Sequence, residues 1–237
     1  MGKTMGDFYK YPRVPHIFGS KGTPNDKRLD EKTSIQFLKA PGLIIEEKVD
    51  GTNTAIHFAD DGRFVLQCRG HAITEGTHPQ FDLFKSWAQA KQPLFHSILG
   101  RRFIMYGEWM YAKHQIFYHK LPHYFLEFDI FDKESNCFLD TDGRRRMLNN
   151  TSICSVPILH KGPLHNIDDL DRLIGQSRFS DCLAEGLYLK IEQSGKVIYR
   201  AKCVRRSFIQ AVEKVGEHWT EKKMKPNKLL PGKDIWQ

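Results

Sequence analysis

No stretch of this sequence stays apolar long enough to span a bilayer, and no charged-then-apolar leader opens it. It also lacks a C-x-x-C pair, an internal repeat and any low-complexity tract. Its five cysteines (Cys68, Cys137, Cys154, Cys182 and Cys203) are odd in number and widely spaced. That argues against a disulfide scaffold and reads as reduced, mostly buried thiols of an intracellular protein. Acidic residues are in deficit, 28 against 36 Lys and Arg, which leaves a formal net charge of +8 and a pI of about 9.2. Such a surplus points towards a polyanionic partner. The expectation is a soluble, cytoplasmic protein without membrane association.

The 237 residues are 40% hydrophobic and 27% charged, enough to bury the core of one large domain. The opening YKYPRVPHIFGSKGTPNDK is rich in Pro, Gly and basic residues, so residues 1–40 are expected to form an irregular arm. From Leu43 onward strand-like runs dominate: LIIEEKV, TAIHFAD, RFVLQCR, RFIMYGE, HYFLEFDIFD, GLYLKIE and KVIYRAKCV. Turn signals such as Asp60-Asp61-Gly62 and Ser194-Gly195 join several of them. Helical patterns fall at 81–99, split by Pro93, at 166–175 behind an Asn166 cap, and at 207–219 with Phe208, Val212, Val215 and Trp219 on one stripe. Hairpin-linked strands with interspersed helices give an α+β fold around antiparallel sheets.

The stretch EEKVDGTNTAIHF (46–58) sets one lysine, Lys48, between Glu47 and Asp50 beside a glycine expected to supply backbone freedom for a sharp turn. A lysine is a nucleophile only as the free amine, so its pKa must fall from about 10.4. Burial and cations lower it; neighbouring carboxylates raise it. Alone, the stretch is also compatible with a surface hairpin. Downstream stand Gly107-Glu108 at a strand end, an aromatic strand with Glu127, Asp129 and Asp132, EGLYLK with Glu185 and Lys190, and YRAKCVRR with Arg200 and Lys202 on one strand face. Taken singly, each reads equally as solvated charge or core. A rival set, His114, His119 and His123, spans an irregular proline-containing segment. It reads as surface or RNA-facing histidines rather than zinc ligands, with Tyr111, Lys113, Phe117 and Tyr118 as stacking and phosphate contacts or as core.

Taken in order, K-x-D-G, G-E, F-D-x-F-D, E-G-x-x-x-K and a basic-x-K strand resemble the covalent nucleotidyltransferase superfamily of polynucleotide ligases and mRNA capping enzymes. The closer likeness is to ATP-dependent RNA ligases of the phage double-strand-sealing type. KVDGTN carries Asn53 where DNA ligases and capping enzymes usually have arginine, and QCRG supplies Arg69. YPRVPHIFGS, GEWMYAKHQIFYHKLPHYFLEFDIFD and KPNKLLPG add to a likeness covering residues 11 to 231.

The resemblance implies the nucleotidyltransferase fold, with ATP and Mg²⁺ (or Mn²⁺) as cofactors. The substrate would be RNA with 5′-phosphate and 3′-hydroxyl ends, in duplex or nicked form. Lys48 would form lysyl-AMP, with Lys190, Arg200 and Lys202 around the phosphates as the cations that depress its pKa. Glu185 would help to place the metal, Glu108 would hold the ribose, and Arg69 would touch ribose or substrate phosphate. Glu47 would lie near adenine, and Asn53 near the nucleotide or substrate end. For the adenine platform both Phe125 and Phe128 are candidates: strand alternation favours Phe125, which shares a face with Glu127 and Asp129, whereas Phe128 sits inside the more recognisable F-D-I segment. Glu185 and Lys190 reach one site only if Glu185 precedes its strand. Arg200, where many ligases have lysine, keeps the charge but offers no neutral amine. Few residues follow Lys202, too few for the OB domain that usually clamps the polynucleotide. Hence a single domain is expected, closed by a 207–237 helix and tail that packs back through Trp219 or Trp236, with a protein partner supplying grip. DNA nick sealing and RNA binding without turnover are the alternatives.

Overall fold

The computed structural model describes residues 8–22, 26–208 and 224–236. Within them ten strands form one sheet: β1 (Leu43–Lys48), β2 (Thr52–Phe58), β3 (Phe64–Cys68), β4 (Phe103–Trp109), β5 (Phe125–Asp132), β6 (Cys137–Leu139), β7 (Cys154–Ser155), β8 (Ile158–Lys161), β9 (Gly186–Gln193) and β10 (Lys196–Val204). The spatial order is β3-β2-β4-β5-β6-β10-β9-β1-β8. Every pair along that path is antiparallel, and β7 adds to β5 in parallel. The seven anticipated strands are all present, and the α+β reading holds.

Among the described residues five α-helices are delimited beside the sheet: α1 (Glu31–Leu38), α2 (Asp82–Ala90), α3 (Gln92–Leu99), α4 (Thr141–Leu148) and α5 (Asp169–Leu173). Pro93 sits in the first turn of α3, where its missing N–H costs nothing. The 81–99 run therefore splits where expected. Helices α2 and α3 bury Phe84, Trp87, Phe95 and Leu99 against Ile56, Met105, Trp109 and Phe125. The rings of Phe84, Trp87, Trp109 and Phe125 lie 5.0–6.1 Å apart, each pair adding about 0.5–1.5 kcal/mol beyond area burial. On the other half of the sheet, Phe37 and Leu38 of α1 pack on Leu43, Ile45, Leu187, Leu189 and Ala201.

The arm is more ordered than its composition suggests. Asp30 caps α1, its carboxylate accepting from the Thr33 N–H at 2.7 Å. The 15–17 backbone lies along β10: Lys202 N–H donates to Pro15 O and Ile17 N–H to Lys202 O, both at 2.9 Å. Helix α5 is only five residues long and has no side-chain cap; Asn166 instead donates its backbone N–H to Asp169. Of the cysteines only Cys68 and Cys203 are buried, and all five are free.

Of the proposed 207–219 stripe, Phe208 is buried, while Val212, Val215 and Trp219 lie outside the described residues. The tail docks through Asn227 and Ile235 rather than Trp236, which is exposed. Among the described residues no helix is long and apolar enough to cross a membrane.

Candidate active site

A cavity of about 700 Å³ opens where β1, β4 and β10 end and β2 and β9 begin. Lys48, the last residue of β1, pairs directly with Gly186, the first of β9, and Glu185 immediately precedes that strand. The Lys48 ammonium therefore meets the Glu185 carboxylate at 2.7 Å. Burial pushes the Lys48 pKa down, but Glu185, Glu108 and Asp50 together push it up further, so the net shift is upward. Lys48 is thus protonated in the ligand-free protein. Its local carboxylates behave as the sequence suggests, and the expected cations do not overcome them. Burial, opposed by Lys48 and aided by Asp50, lifts Glu185 to about 7; burial, opposed by Lys48 and aided by Glu185 and Asp50, lifts Glu108 to about 8. The cluster gathers three carboxyl groups, Glu108, Glu185 and Asp50, around one ammonium, and burial holds protons on the two glutamates.

Asp50 is committed to holding the loop that follows β4. Its Oδ2 accepts from the Gln115 and Ile116 N–H groups at 2.8 and 2.9 Å, and its own N–H donates to the Tyr118 hydroxyl at 2.8 Å. Gly51 is needed for space rather than for turn geometry, since it is not among the positive-φ glycines. A Cβ there would stand 2.7 Å from Met110 Sδ and 2.9 Å from Glu108 Cγ.

Lys48 shares the cavity wall with Glu47, Asn53, Arg69, Glu108, Phe128, Glu185 and Lys202. Asn53 stands directly opposite Glu108 in the β2–β4 ladder, and Arg69 is exposed at the rim. The Glu47 carboxylate accepts from the Ser177 hydroxyl and from the Arg178 N–H, fixing that loop. Lys202 lies 3.5 Å from Asp26; burial, aided by Lys48, brings its pKa down.

Three expected residues lie elsewhere. Phe125 is fully buried among Phe84, Trp87 and Trp109, and Phe128 takes the cavity. The alternation argument fails because β5 carries one extra residue against β4: Tyr106 pairs with Asp129 but Gly107 with Glu127, leaving Phe128 between. Lys190 is fully buried and neither it nor Arg200 lines the cavity. The Lys190 ammonium meets Glu46 at 2.8 Å, Asp129 at 2.9 Å and the Phe128 carbonyl at 2.6 Å. Arg200, opposite it on β10, packs over Phe138 and reaches Asp129 at 3.7 Å. Both cations share the sheet face of Lys48 but stand farther along their strands, Lys190 opposite Ile44 and Arg200 opposite Lys190, where they brace the β5 segment.

Several supporting residues escaped sequence reading. Arg144 of α4 is buried between Glu127, at 2.8 Å, and Glu46. Tyr11 bonds Asp129 and Tyr188 through its hydroxyl and, with His16, lines the cavity. Their one signal is the YPRVPH stretch, whose aromatic and histidine are unusual for a solvated arm. The histidines scatter: His114 lines the cavity, His119 faces Asp181 at 3.3 Å, and His123 is buried against Trp87, donating to the Ile235 carbonyl. The surface reading therefore fails for His123, and Tyr118 is core. No group of three or more His, Cys, Asp or Glu among the described residues forms a metal cluster.

Residues 42–204 match the model of a family described as RNA ligase. The chain belongs to the RNA ligase family. Its family segment runs from the residue before β1 to the last residue of β10, and so takes in Lys48, Glu108, Glu185, Lys190 and Lys202. Comparison with curated proteins gives no match. Among solved structures, Naegleria gruberi RNA ligase with pyrophosphate is similar at a TM-score of 0.62 and 19% identity, over 90% of this chain and 62% of that one. A variant of the same protein with ATP and manganese gives 0.60 and 16%, over 86% and 63%. Another variant, with AMP and manganese, gives 0.59 and 18%, over 85% and 63%. These likenesses establish the nucleotidyltransferase fold of RNA ligases, and the chain spans less than two thirds of the length of the proteins it resembles.

Proposed function

We propose that this RNA ligase family member is an ATP-dependent ligase that works through Lys48. The Lys48 amine attacks the α-phosphorus of ATP; a P–N bond forms, the bridging P–O bond breaks and pyrophosphate leaves. An RNA 5′-phosphate oxygen then displaces the lysine to give adenylated RNA, and a 3′-hydroxyl attacks that end, releasing AMP. The observation that carries this reading is the Lys48 ammonium held by Glu185 at the wall of a nucleotide-sized cavity, with Glu108, Phe128 and Lys202 on the same wall. The ATP, AMP and pyrophosphate bound to the similar Naegleria ligase support it.

Each residue has a task in such a transfer, whose catalysis is chiefly positioning and charge neutralisation. Phe128 offers a half-buried ring to the base, Glu108 and Asn53 face the sugar, and Lys202 and Arg69 face phosphates. The surplus of buried carboxylate fits a divalent cation. Glu185 and Glu108 would hold it together with phosphate oxygens, as Mg²⁺ prefers, and when bound it would offset phosphate charge. It would also draw Glu185 away from Lys48, removing the largest influence that keeps the amine protonated. Lys190 and Arg200 act at one remove, holding the β5 segment that carries Phe128.

The test is retention of α-labelled adenylate after denaturation, with ATP and Mg²⁺. Wild type is expected to carry label and Lys48→Ala none; label on the variant, or none on wild type, overturns the mechanism. Challenge with 5′-phosphorylated RNA or DNA, single-stranded and nicked, is expected to favour nicked duplex RNA; equal use of DNA points to general nick sealing.

A further inference from the structure

The acids on either side of Lys48 each hold a loop. Asp50 fastens the loop after β4 at Gln115 and Ile116, and Glu47 fastens the loop before β9 at Ser177 and Arg178. The two loops are also pinned to each other. The Ser180 hydroxyl donates to the Phe117 carbonyl at 2.8 Å, and the His119 and Lys120 N–H groups both reach the Phe179 carbonyl at 3.2 Å. The tail backs them, with the Lys228 N–H on the Tyr118 carbonyl at 2.9 Å and the Lys113 N–H on the Lys225 carbonyl at 2.8 Å. A surface tied by this many backbone bonds is ordered before any ligand arrives, which keeps the entropy cost of binding low.

In QIFYHKL, Ile116, Tyr118 and Leu121 are buried, whereas Phe117, His119 and Lys120 are partly exposed. A loop that only packed would turn its phenylalanine inward. Here the Phe117 and His119 rings stack with centroids 6.3 Å apart and planes 21° from parallel, and the Lys225 ammonium stands 5.0 Å over the Phe117 ring. Residues 113–121, 176–181 and 225–230 carry five Lys and Arg (Lys113, Lys120, Arg178, Lys225 and Lys228) against one acid, Asp181. Asp181 meets Lys120 at 2.6 Å and His119 at 3.3 Å, but the Lys120 and Asp181 side chains are 44% and 68% exposed, so that pair opens at little cost. Phe117 directly follows Ile116, whose N–H is held by Asp50, and both Asp50 and His114 line the Lys48 cavity. The stacked rings and the cations therefore adjoin its mouth.

We propose that Phe117 and His119, with Lys120 and Lys225, form a docking platform for the RNA strand whose end enters the Lys48 cavity. An unpaired or terminal base adds to the ring stack, and its flanking phosphates meet the two ammonium groups. The proposal rests on the reading of the chain as an RNA ligase acting through Lys48, and it adds the path by which the strand leaves the site. Aromatic faces accept any base and lysines follow the backbone without reading sequence, so the platform takes strand ends of any sequence.

The test is fluorescence anisotropy of 5′-phosphorylated oligoribonucleotides on the full chain without ATP, with thermal melting to verify each variant. Phe117→Ala is expected to bind about tenfold more weakly, the scale of one base–aromatic stack, and Phe117→Tyr to stay within about twofold of wild type. Lys225→Gln is expected to flatten the plot of log affinity against log salt by about 0.7, one phosphate contact. The deciding measurement moves an abasic nucleotide along the strand. At one position it is expected to weaken binding to wild type about tenfold and to leave Phe117→Ala unchanged, a coupling that damaged packing would not produce. If Phe117→Ala binds as wild type does, or if abasic strands penalise both proteins equally at every position, the proposal falls. The lysyl-AMP assay on wild type separates the two readings. Retained label without coupling at Phe117 overturns the platform alone; coupling without label overturns the Lys48 mechanism alone.

Discussion

At the residue scale, the site is a competition between burial and charge. Glu108, lifted to about 8, holds its proton more tightly folded than unfolded. Its ionisation therefore costs stability above pH 8, less as pH falls, and nothing below its unfolded value near 4.5. Glu108→Gln is expected to be more stable than wild type at pH 9, on the order of 2 kcal/mol after allowing for partial exposure, and equal to it at pH 4. Denaturant midpoints at both pH values measure this, and a gain at pH 4 instead would refute the sign. Phe125 and Phe128 separate by readout. Phe125→Ala is expected to cost about 3–5 kcal/mol in unfolding, whereas Phe128→Ala is expected to leave stability within about 1 kcal/mol and raise the KM for ATP. The sequence placed both phenylalanines on a strand and favoured Phe125 over Phe128 for the base, because period-two alternation cannot register an extra residue such as Phe128. Lys48, Glu108, Glu185 and Lys202 were legible because each stands at or within two residues of a strand end and belongs to the ordered motif set; singly, none stood out.

At the scale of elements, α4 was invisible in advance. TDGRRRML has a glycine, three arginines and few apolar residues, so no stripe announces it. Its purpose is the buried Arg144, which ties Glu46 of β1 to Glu127 of β5. Breaking a buried pair strands its partner charges. Arg144→Met is expected to cost about 3–5 kcal/mol, much of it restored by adding Glu127→Gln; a double-mutant cycle by urea unfolding gives the coupling. The tail is a similar case. Asn227 accepts from the Tyr118 N–H and donates to the Met110 carbonyl, and Tyr118 in turn supports Asp50. KPNKLLPG is polar and proline-rich, and only the partners waiting in the loop after β4 make its asparagine a core residue.

At the scale of the whole molecule, the +8 charge gives the proposed RNA complex a salt dependence. A plot of log affinity against log salt is expected to fall by about 0.7 for each phosphate contacted on a single strand. Neutralising Arg69 is expected to flatten that slope by about one contact, as filter binding from low to moderate salt will measure; an unchanged slope removes Arg69 from the interface. Strand content and the α+β class were readable from alternation and turns, but the sheet order was not, since nothing local states that β10 joins β6.

The pairing of Lys48 with the start of β9 bears on how the protein comes to be made. Lys48 and Glu185 are 137 residues apart in the chain. Non-local pairings of this kind are slow to form, because loop closure precedes any reward from the contact. During synthesis, β1 emerges long before β9, its neighbour in the sheet, so its edge must wait unpaired. The proposed nucleophile therefore acquires its carboxylate partner only once β9 has been made, and a truncated nascent chain carries the lysine without Glu185.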